Sequence, residues 1–193
     1  KADNLTICVP SGNFGNITAG LFAQRMGLPI MNFIAANNAN DIFYNYLLSG
    51  IYSPKASIQT IANAMDVGDP SNFARILDLY KSSHAEICNH ISGATYSDDE
   101  IAATMKKCYE QTGYVLDPHG ACGYQALKDN LKEGETGVFL ETAHPAKFKE
   151  KVDAILSTDI EIPTRLADFM KGKKQSLEMA ADFSAFKQFL LSV

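Results

Sequence analysis

Val9-Pro10-Ser11-Gly12-Asn13-Phe14-Gly15-Asn16 is the stretch that decides the fold. An apolar run, Leu5 to Val9, leads into it and predicts a buried strand. A helical pattern from Ile17 to Met26 leads out, with Ile17, Leu21 and Phe22 on its buried side. Between them, Gly12 and Gly15 predict backbone angles closed to other residues and a close approach of ligand to main chain. Free N–H groups and the dipole at the helix start would make the turn an anion site. The loop is not G-x-x-x-x-G-K-[ST], because no lysine follows Gly15, and it is not G-x-G-x-x-G. Spacing alone leaves two readings: a phosphate cradle, or an ordinary strand–helix turn with Asn16 as N-cap.

Outward from the loop, Gly20 predicts a helix lying close on the sheet, and Gly27 with Pro29 predicts its end. Ile30 to Ala35 reads as a second strand, parallel to the first through a right-handed crossover. Asn37 to Asp41 then falls at the carboxyl ends of the strands, where parallel sheets bind ligands. This Asn-rich loop reads either as a helix start with Asn40 as N-cap or as site lining. A helix from Asp41 to Ser49 ends at Gly50.

Residues 53–113 read as a helical excursion. It holds a piece through Ala62 and Met65, a helix begun by Asp69-Pro70, and a helical stretch bearing His84 and His90. Its last helix opens with Ser97-Asp98-Asp99-Glu100, a capping box, with Ile101, Met105 and Tyr109 inward and Gly113 closing it. Tyr114 to Leu116 reads as a third strand. Asp117-Pro118 opens the next helix and puts His119 in its first turn, either packing on neighbours or facing the ligand edge. Val138 to Leu140 reads as a fourth strand, and Pro145 starts a helix with Phe148, Val152 and Ile155 inward. Thr142, at that strand end, is an N-cap or a site residue. After the polar linker 171–174, Asp182 caps a last helix with Phe183, Phe186 and Leu190 inward. The fold class is α/β, a mostly parallel sheet of about four strands flanked by helices.

The chain has 193 residues, 46% of them hydrophobic, with net charge −5. That suits one globular domain and offers no basic footprint for nucleic acid or an anionic membrane surface. No apolar run approaches the roughly 20 residues of a membrane helix. Cys8, Cys88, Cys108 and Cys122 lack C-x-x-C spacing and read as reduced, mostly packed thiols. His84 and His90 do not make a zinc pattern, so no metal is expected.

Ser11-Gly12-Asn13-Phe14-Gly15-Asn16-Ile17-Thr18-Ala19-Gly20 resembles the cofactor-phosphate loop of the threonine synthases. These are pyridoxal-phosphate enzymes of the tryptophan-synthase-β-like fold (fold type II). Five further stretches match in family order: Phe33 to Asp41, Ser53 to Ala56, Asn63 to Val67, Asp117 to Gly120 and Thr142 to Phe148. The resemblance implies pyridoxal 5'-phosphate as cofactor, with Gly12, Asn13, Phe14, Gly15 and Asn16 holding its phosphate and Thr142 meeting its pyridine nitrogen. Asn37, Lys55 and His119 become candidates for lining the site. It implies a cytoplasmic enzyme of threonine biosynthesis that converts O-phospho-L-homoserine and water to L-threonine and phosphate. In that family the lysine that bonds the cofactor lies upstream of the glycine loop. The resemblance therefore implies that residues 1–193 are the C-terminal part of the cofactor-binding large domain. The N-terminal half would be the missing partner, and the chain alone would be inactive with no catalytic residue of its own. A threonine dehydratase-like relative, or a non-catalytic domain binding a phosphorylated ligand, stays open.

Overall fold

The computed structural model describes residues 4–192 and divides into two compact units, Lys1–Ile160 and Glu161–Val193. The first unit is built on a four-stranded sheet: β1 (Leu5–Pro10), β2 (Asn32–Asn37), β3 (Ile91–Thr95) and β4 (Thr136–Phe139). The order is β3-β2-β1-β4 and every pairing is parallel, with Val9 opposite Ala35 and Cys8 opposite Phe139. Side chains alternate along a strand, so the two central strands feed two cores. Cys8, Ile34 and Ala36 pack with Ile101, Met105 and Ala121 on one face. Val9, Phe33 and Ala35 pack with Ile17, Leu21 and Phe43 on the other.

The first face is covered by α5 (Asp98–Thr112), α6 (Pro118–Asn130) and α7 (Lys149–Leu156). The second is covered by α1 (Gly15–Arg25), α2 (Ile42–Ser49), α3 (Phe73–Leu79) and α4 (His84–His90). Gly20 lets α1 sit down on the sheet, since a Cβ there would stand 2.6 Å from Phe33 Cε1. Ile17 and Leu21 are buried as expected, but Phe22 is exposed: Thr18 takes the remaining place on the buried face. Gly27, at φ 104°, and Gly50, at φ 73°, end their helices as expected. The Ser97–Glu100 capping box is complete in both directions and opens α5. Asp117 caps α6, with Pro118 in its first turn.

The span 53–113 is not purely helical. β3 lies inside it, and Tyr114–Leu116 is not a strand. Ile-Ser-Gly-Ala-Thr is too small and polar to read as a strand, yet it suits an edge on which a helix lies closely. At Gly93 a Cβ would stand 2.9 Å from Leu47 Cδ1. Tyr114–Leu116 has a β-prone composition but finds no ladder partner; Leu116 is buried and Tyr114 exposed. The piece through Ala62 and Met65 is irregular apart from a 3-10 turn at Asn63–Met65. Asp69 does not cap a helix: it accepts the Tyr52 hydroxyl at 2.7 Å, and α3 starts at Phe73 after Asn72. β2 begins two residues later than its apolar run, and β4 two residues earlier than expected. His84 and His90 do lie on a helix, and His84 Nε2 is 3.0 Å from the Tyr46 and Leu47 carbonyls.

The second unit carries α8 (Thr164–Met170) and α9 (Phe183–Ser192). Asp182 Oδ1 accepts the Ala185 N–H at 2.8 Å and caps α9. Phe183, Phe186 and Leu190 are exposed rather than inward. Two short helices give little apolar surface to bury one another. Among the described residues no helix is long and apolar enough to cross a membrane. Cys8, Cys108 and Cys122 are buried free thiols, and burial pushes Cys8 up to about 12.

Candidate functional site

β1 ends at Pro10, and Ser11 stays tied to the sheet. Its N–H donates to Ala36 O at 2.8 Å, and its carbonyl accepts the Asn37 side-chain amide at 2.8 Å. The chain then turns into α1 through Phe14, whose φ of 61° is left-handed. The unusual backbone thus falls on Phe14 and not on the glycines, contrary to the sequence expectation. A left-handed non-glycine residue costs roughly 1 kcal/mol. Burial of the Phe14 ring, 4.5 Å from that of Phe43, offsets it.

The two glycines serve contact rather than torsion. At Gly12 a Cβ would stand 2.7 Å from Met65 Cα and 2.9 Å from Ala64 O, so the 3-10 turn Asn63–Met65 presses on the loop. At Gly15 the nearest neighbour of a Cβ would be Asn72 Nδ2, at 3.8 Å, an ordinary contact that leaves room for a methyl. Asn16 is not the N-cap. Phe14 holds that position, and no side chain caps α1 among the described residues. The first intrahelical bond is Thr18 N–H to Phe14 O at 3.1 Å, so the N–H groups of Gly15, Asn16 and Ile17 have no acceptor within the helix.

Gly15 and Asn16 line a cavity of about 240 Å³, and Ile17 is buried one residue behind them. The loop residues Gly12 to Asn16 form one side of it, and Ala64, Met65, His119 and Thr142 complete it. The structure thereby brings His119 and Thr142 to the loop. It does not bring Asn37 or Lys55 there. Asn37 lies behind the loop on Ser11. Lys55 lines a separate cavity of about 400 Å³ with Ile42 and Asn45, its Nζ 3.6 Å from Asp41 Oδ1. Asn13 is tied to the next segment: its side-chain oxygen accepts the Ser71 N–H at 2.6 Å and the Ser71 hydroxyl at 3.0 Å, and its carbonyl accepts the Asn72 amide at 2.7 Å.

Three features of the site escaped the sequence reading. The first is the Asn63–Met65 turn as a wall. The second is what holds that turn in place. Asp66 accepts Thr60 N–H at 3.0 Å, the Thr60 hydroxyl at 2.7 Å and the Asn38 amide at 2.8 Å. Asn40, expected as an N-cap, instead joins this network through Ile58 and Asn38. Asp66→Ala removes the acceptor of the Thr60 N–H and hydroxyl, while the Asn38 amide keeps Thr60 Oγ1 and Ala62 O, and is expected to cost about 2–3 kcal/mol, read by urea denaturation. The only sequence signal was the density of Asn and Asp in two loops.

The third is an acid cluster behind His119. Asp117 Oδ1 accepts the His119 N–H at 2.8 Å and lies 2.5 Å from His119 Nδ1. His119 Nε2 accepts the Ala64 N–H at 3.1 Å. Burial disfavours the Asp117 anion, but hydrogen bonds from His119 outweigh it and hold the carboxyl below its usual range. Glu141 lies against Asp117, and burial together with that neighbouring charge pushes it up to about 8. An acid at the end of an apolar strand, one residue from Thr142, was its signal in the sequence.

A family model described as pyridoxal-phosphate-dependent enzyme matches residues 2–142. The chain belongs to the pyridoxal-phosphate-dependent enzymes. A second model, threonine synthase, C-terminal, matches residues 120–190 of this family member. A threonine synthase of Haemophilus influenzae is 47% identical over 191 residues, which is 99% of this chain and 44% of that protein. The crystal structure of Escherichia coli threonine synthase superposes with a TM-score of 0.85 at 41% identity, over 99% of this chain and 44% of that one. A pyridoxal-phosphate-bound threonine synthase from Brucella melitensis gives 0.84 at 32% identity, over 97% and 46%. The chain thus spans less than half the length of the relatives it matches.

Proposed function

We propose that this chain supplies the cofactor-phosphate site of an enzyme that makes L-threonine and phosphate from O-phospho-L-homoserine and water. The observation that carries the reading is the uncapped start of α1, opening on a cavity beside a glycine whose missing Cβ leaves room. That arrangement fits a phosphate. The N–H groups of Gly15, Asn16 and Ile17 would hold it, aided by the positive end of the α1 dipole. The threonine synthase similarity over 99% of the chain supports the substrate class.

Pyridoxal phosphate, when bound, supplies an electron-withdrawing ring that stabilises negative charge on substrate carbon. The chain's own residues would orient it. Phe14 and Met65 give the cavity apolar walls, and Thr142 offers a neutral hydroxyl to the ring nitrogen. A hydroxyl can hydrogen-bond that nitrogen without enforcing its protonation, as an adjacent carboxylate would. Glu141, the nearest acid in sequence, is engaged with Asp117 instead.

Among the described residues no lysine lines this cavity. The covalent lysine would therefore come from the remainder of a longer protein, consistent with a chain that spans 44% of its relatives. The test is turnover. The chain alone is expected to release no phosphate from O-phospho-L-homoserine, and the longer protein that contains it is expected to yield threonine and phosphate in equal amounts. Formation of 2-oxobutyrate from threonine by that longer protein, without threonine synthesis, would assign it to the dehydratase class instead.

A further inference from the structure

Glu141 presents an unusual arrangement. Its two carboxyl oxygens and Asp117 Oδ2 are buried and receive no N–H or O–H from any other group among the described residues. Gly120 makes the space: a Cβ there would fall 1.9 Å from Glu141 Oε2. Two adjacent buried carboxyls cannot both stay ionised at low cost, and one proton between them supplies the missing donor. On the far side of Asp117, His119 is committed at both ring nitrogens. Because Nε2 accepts the Ala64 N–H, the ring proton must sit on Nδ1 and point at Asp117. The Phe148 ring, centred 4.6 Å away, packs on the imidazole.

We propose that Glu141 and His119 are positioning residues. One proton shared by Glu141 and Asp117 keeps Asp117 on the Nδ1–H of His119, and His119 Nε2 thereby clamps the Ala64 amide, fixing the cavity wall that presses on Gly12. The chain of contacts runs from the residue beside Thr142 to the opposite wall, so it sets the spacing between the proposed ring partner and the proposed phosphate loop. The inference rests on the cofactor reading for its purpose, but its geometry stands without it. Losing the shared proton to solvent leaves two carboxylates in contact. Their repulsion drives Glu141 outward and loosens Asp117 from His119.

The upward shift of Glu141 to about 8, from burial and the Asp117 charge, places that loss near pH 8. Sign follows from linkage: a raised carboxyl favours the folded state at low pH, and the benefit declines as pH climbs from the ordinary carboxylate range through about 8. The other titratable groups that feel the pair are Tyr114, just before α6, and Cys122, one turn along it. Both are pushed upward, chiefly by burial, away from this window.

The test uses the chain without cofactor. NMR follows the 13C carboxyl of Glu141, the 15N ring shifts of His119 and the protection of the Ala64 amide between pH 5 and 10. Glu141 is expected to titrate near pH 8 and Ala64 protection to drop over the same step, and the His119 ring shifts to report the Nδ1–H tautomer. Glu141→Gln, neutral at every pH, should abolish the drop. Should that variant fail to fold, Gly120→Ala displaces the carboxyl, and Ala64 should then be unprotected across the range. Glu141 titrating in the ordinary carboxylate range, or Ala64 protection indifferent to it, overturns the proposal. Added pyridoxal 5'-phosphate separates the two readings. Binding that weakens above pH 8 in the parent and not in Glu141→Gln supports the clamp, whereas no binding at any pH tells against the cofactor reading and leaves the NMR result to decide the clamp.

Discussion

Gly68→Ala is expected to lower stability by about 3 kcal/mol, the upper end of the usual range for overpacking. A Cβ at Gly68 would stand 1.8 Å from Lys55 O, 2.9 Å from Lys55 C and 2.9 Å from Ser57 N. All three are backbone atoms, so no side chain can swing aside. The contact is also a hydrogen bond, Lys55 N–H to Gly68 O at 3.0 Å, which ties residues 55–57 to the strand of loop that follows the Asn63–Met65 turn. Relief therefore requires moving two segments of main chain that carry the cavity wall. Urea denaturation with the slope held constant measures the loss, and a change below about 0.5 kcal/mol would mean the two segments can part freely.

Gly12→Ala is expected to weaken pyridoxal-phosphate binding about hundredfold, the scale of a 1 Å misplacement in a constructed site. Its Cβ would meet Met65 Cα at 2.7 Å and Ala64 O at 2.9 Å, again backbone. Either the loop or the wall must retreat, and both line the same cavity. Gly15→Ala makes the contrast. Its position is helical and its Cβ would make only an ordinary contact, with Asn72 Nδ2 at 3.8 Å, so stability should change by less than about 0.5 kcal/mol or rise slightly. Affinity should still fall, because the methyl enters the space left for phosphate. Isothermal titration of both variants beside denaturation curves separates the two roles. Equal losses of affinity and stability at both glycines would contradict the assignment.

The parallel sheet was legible because Leu5–Val9 and Phe33–Ala36 are apolar on both faces, as central parallel strands must be. The caps at Ser97 and Asp117 were legible because each depends on a local side chain. β3 was not, because an edge strand of Ile-Ser-Gly-Ala-Thr is specified by its neighbours Phe33–Asn37 and by Leu47 above Gly93, not by its own pattern. The same holds for Tyr114–Leu116, whose composition suits a strand that no neighbour completes. At the site, the glycine loop announced itself, but the physical reason differed. Gly12 answers to Met65 and Ala64, fifty residues away in sequence, and the left-handed residue is Phe14. Lys55 and Asn37 stood in matching motifs and still fall outside the cavity, since sequence order carries no information on which side of a loop a side chain lies. Glu141 could have been flagged as an acid ending an apolar strand. Its pairing with Asp117 over Gly120 required the fold.

The most direct test of the central claim is a titration of the 15N-labelled chain with pyridoxal 5'-phosphate, followed by borohydride reduction and peptide mapping. Saturable shifts of the Gly15, Asn16 and Ile17 amides and of Thr142 are expected, with no single lysine labelled. Saturable binding that leaves those amides unmoved, or stoichiometric labelling of one lysine such as Lys55 or Lys147, would contradict it.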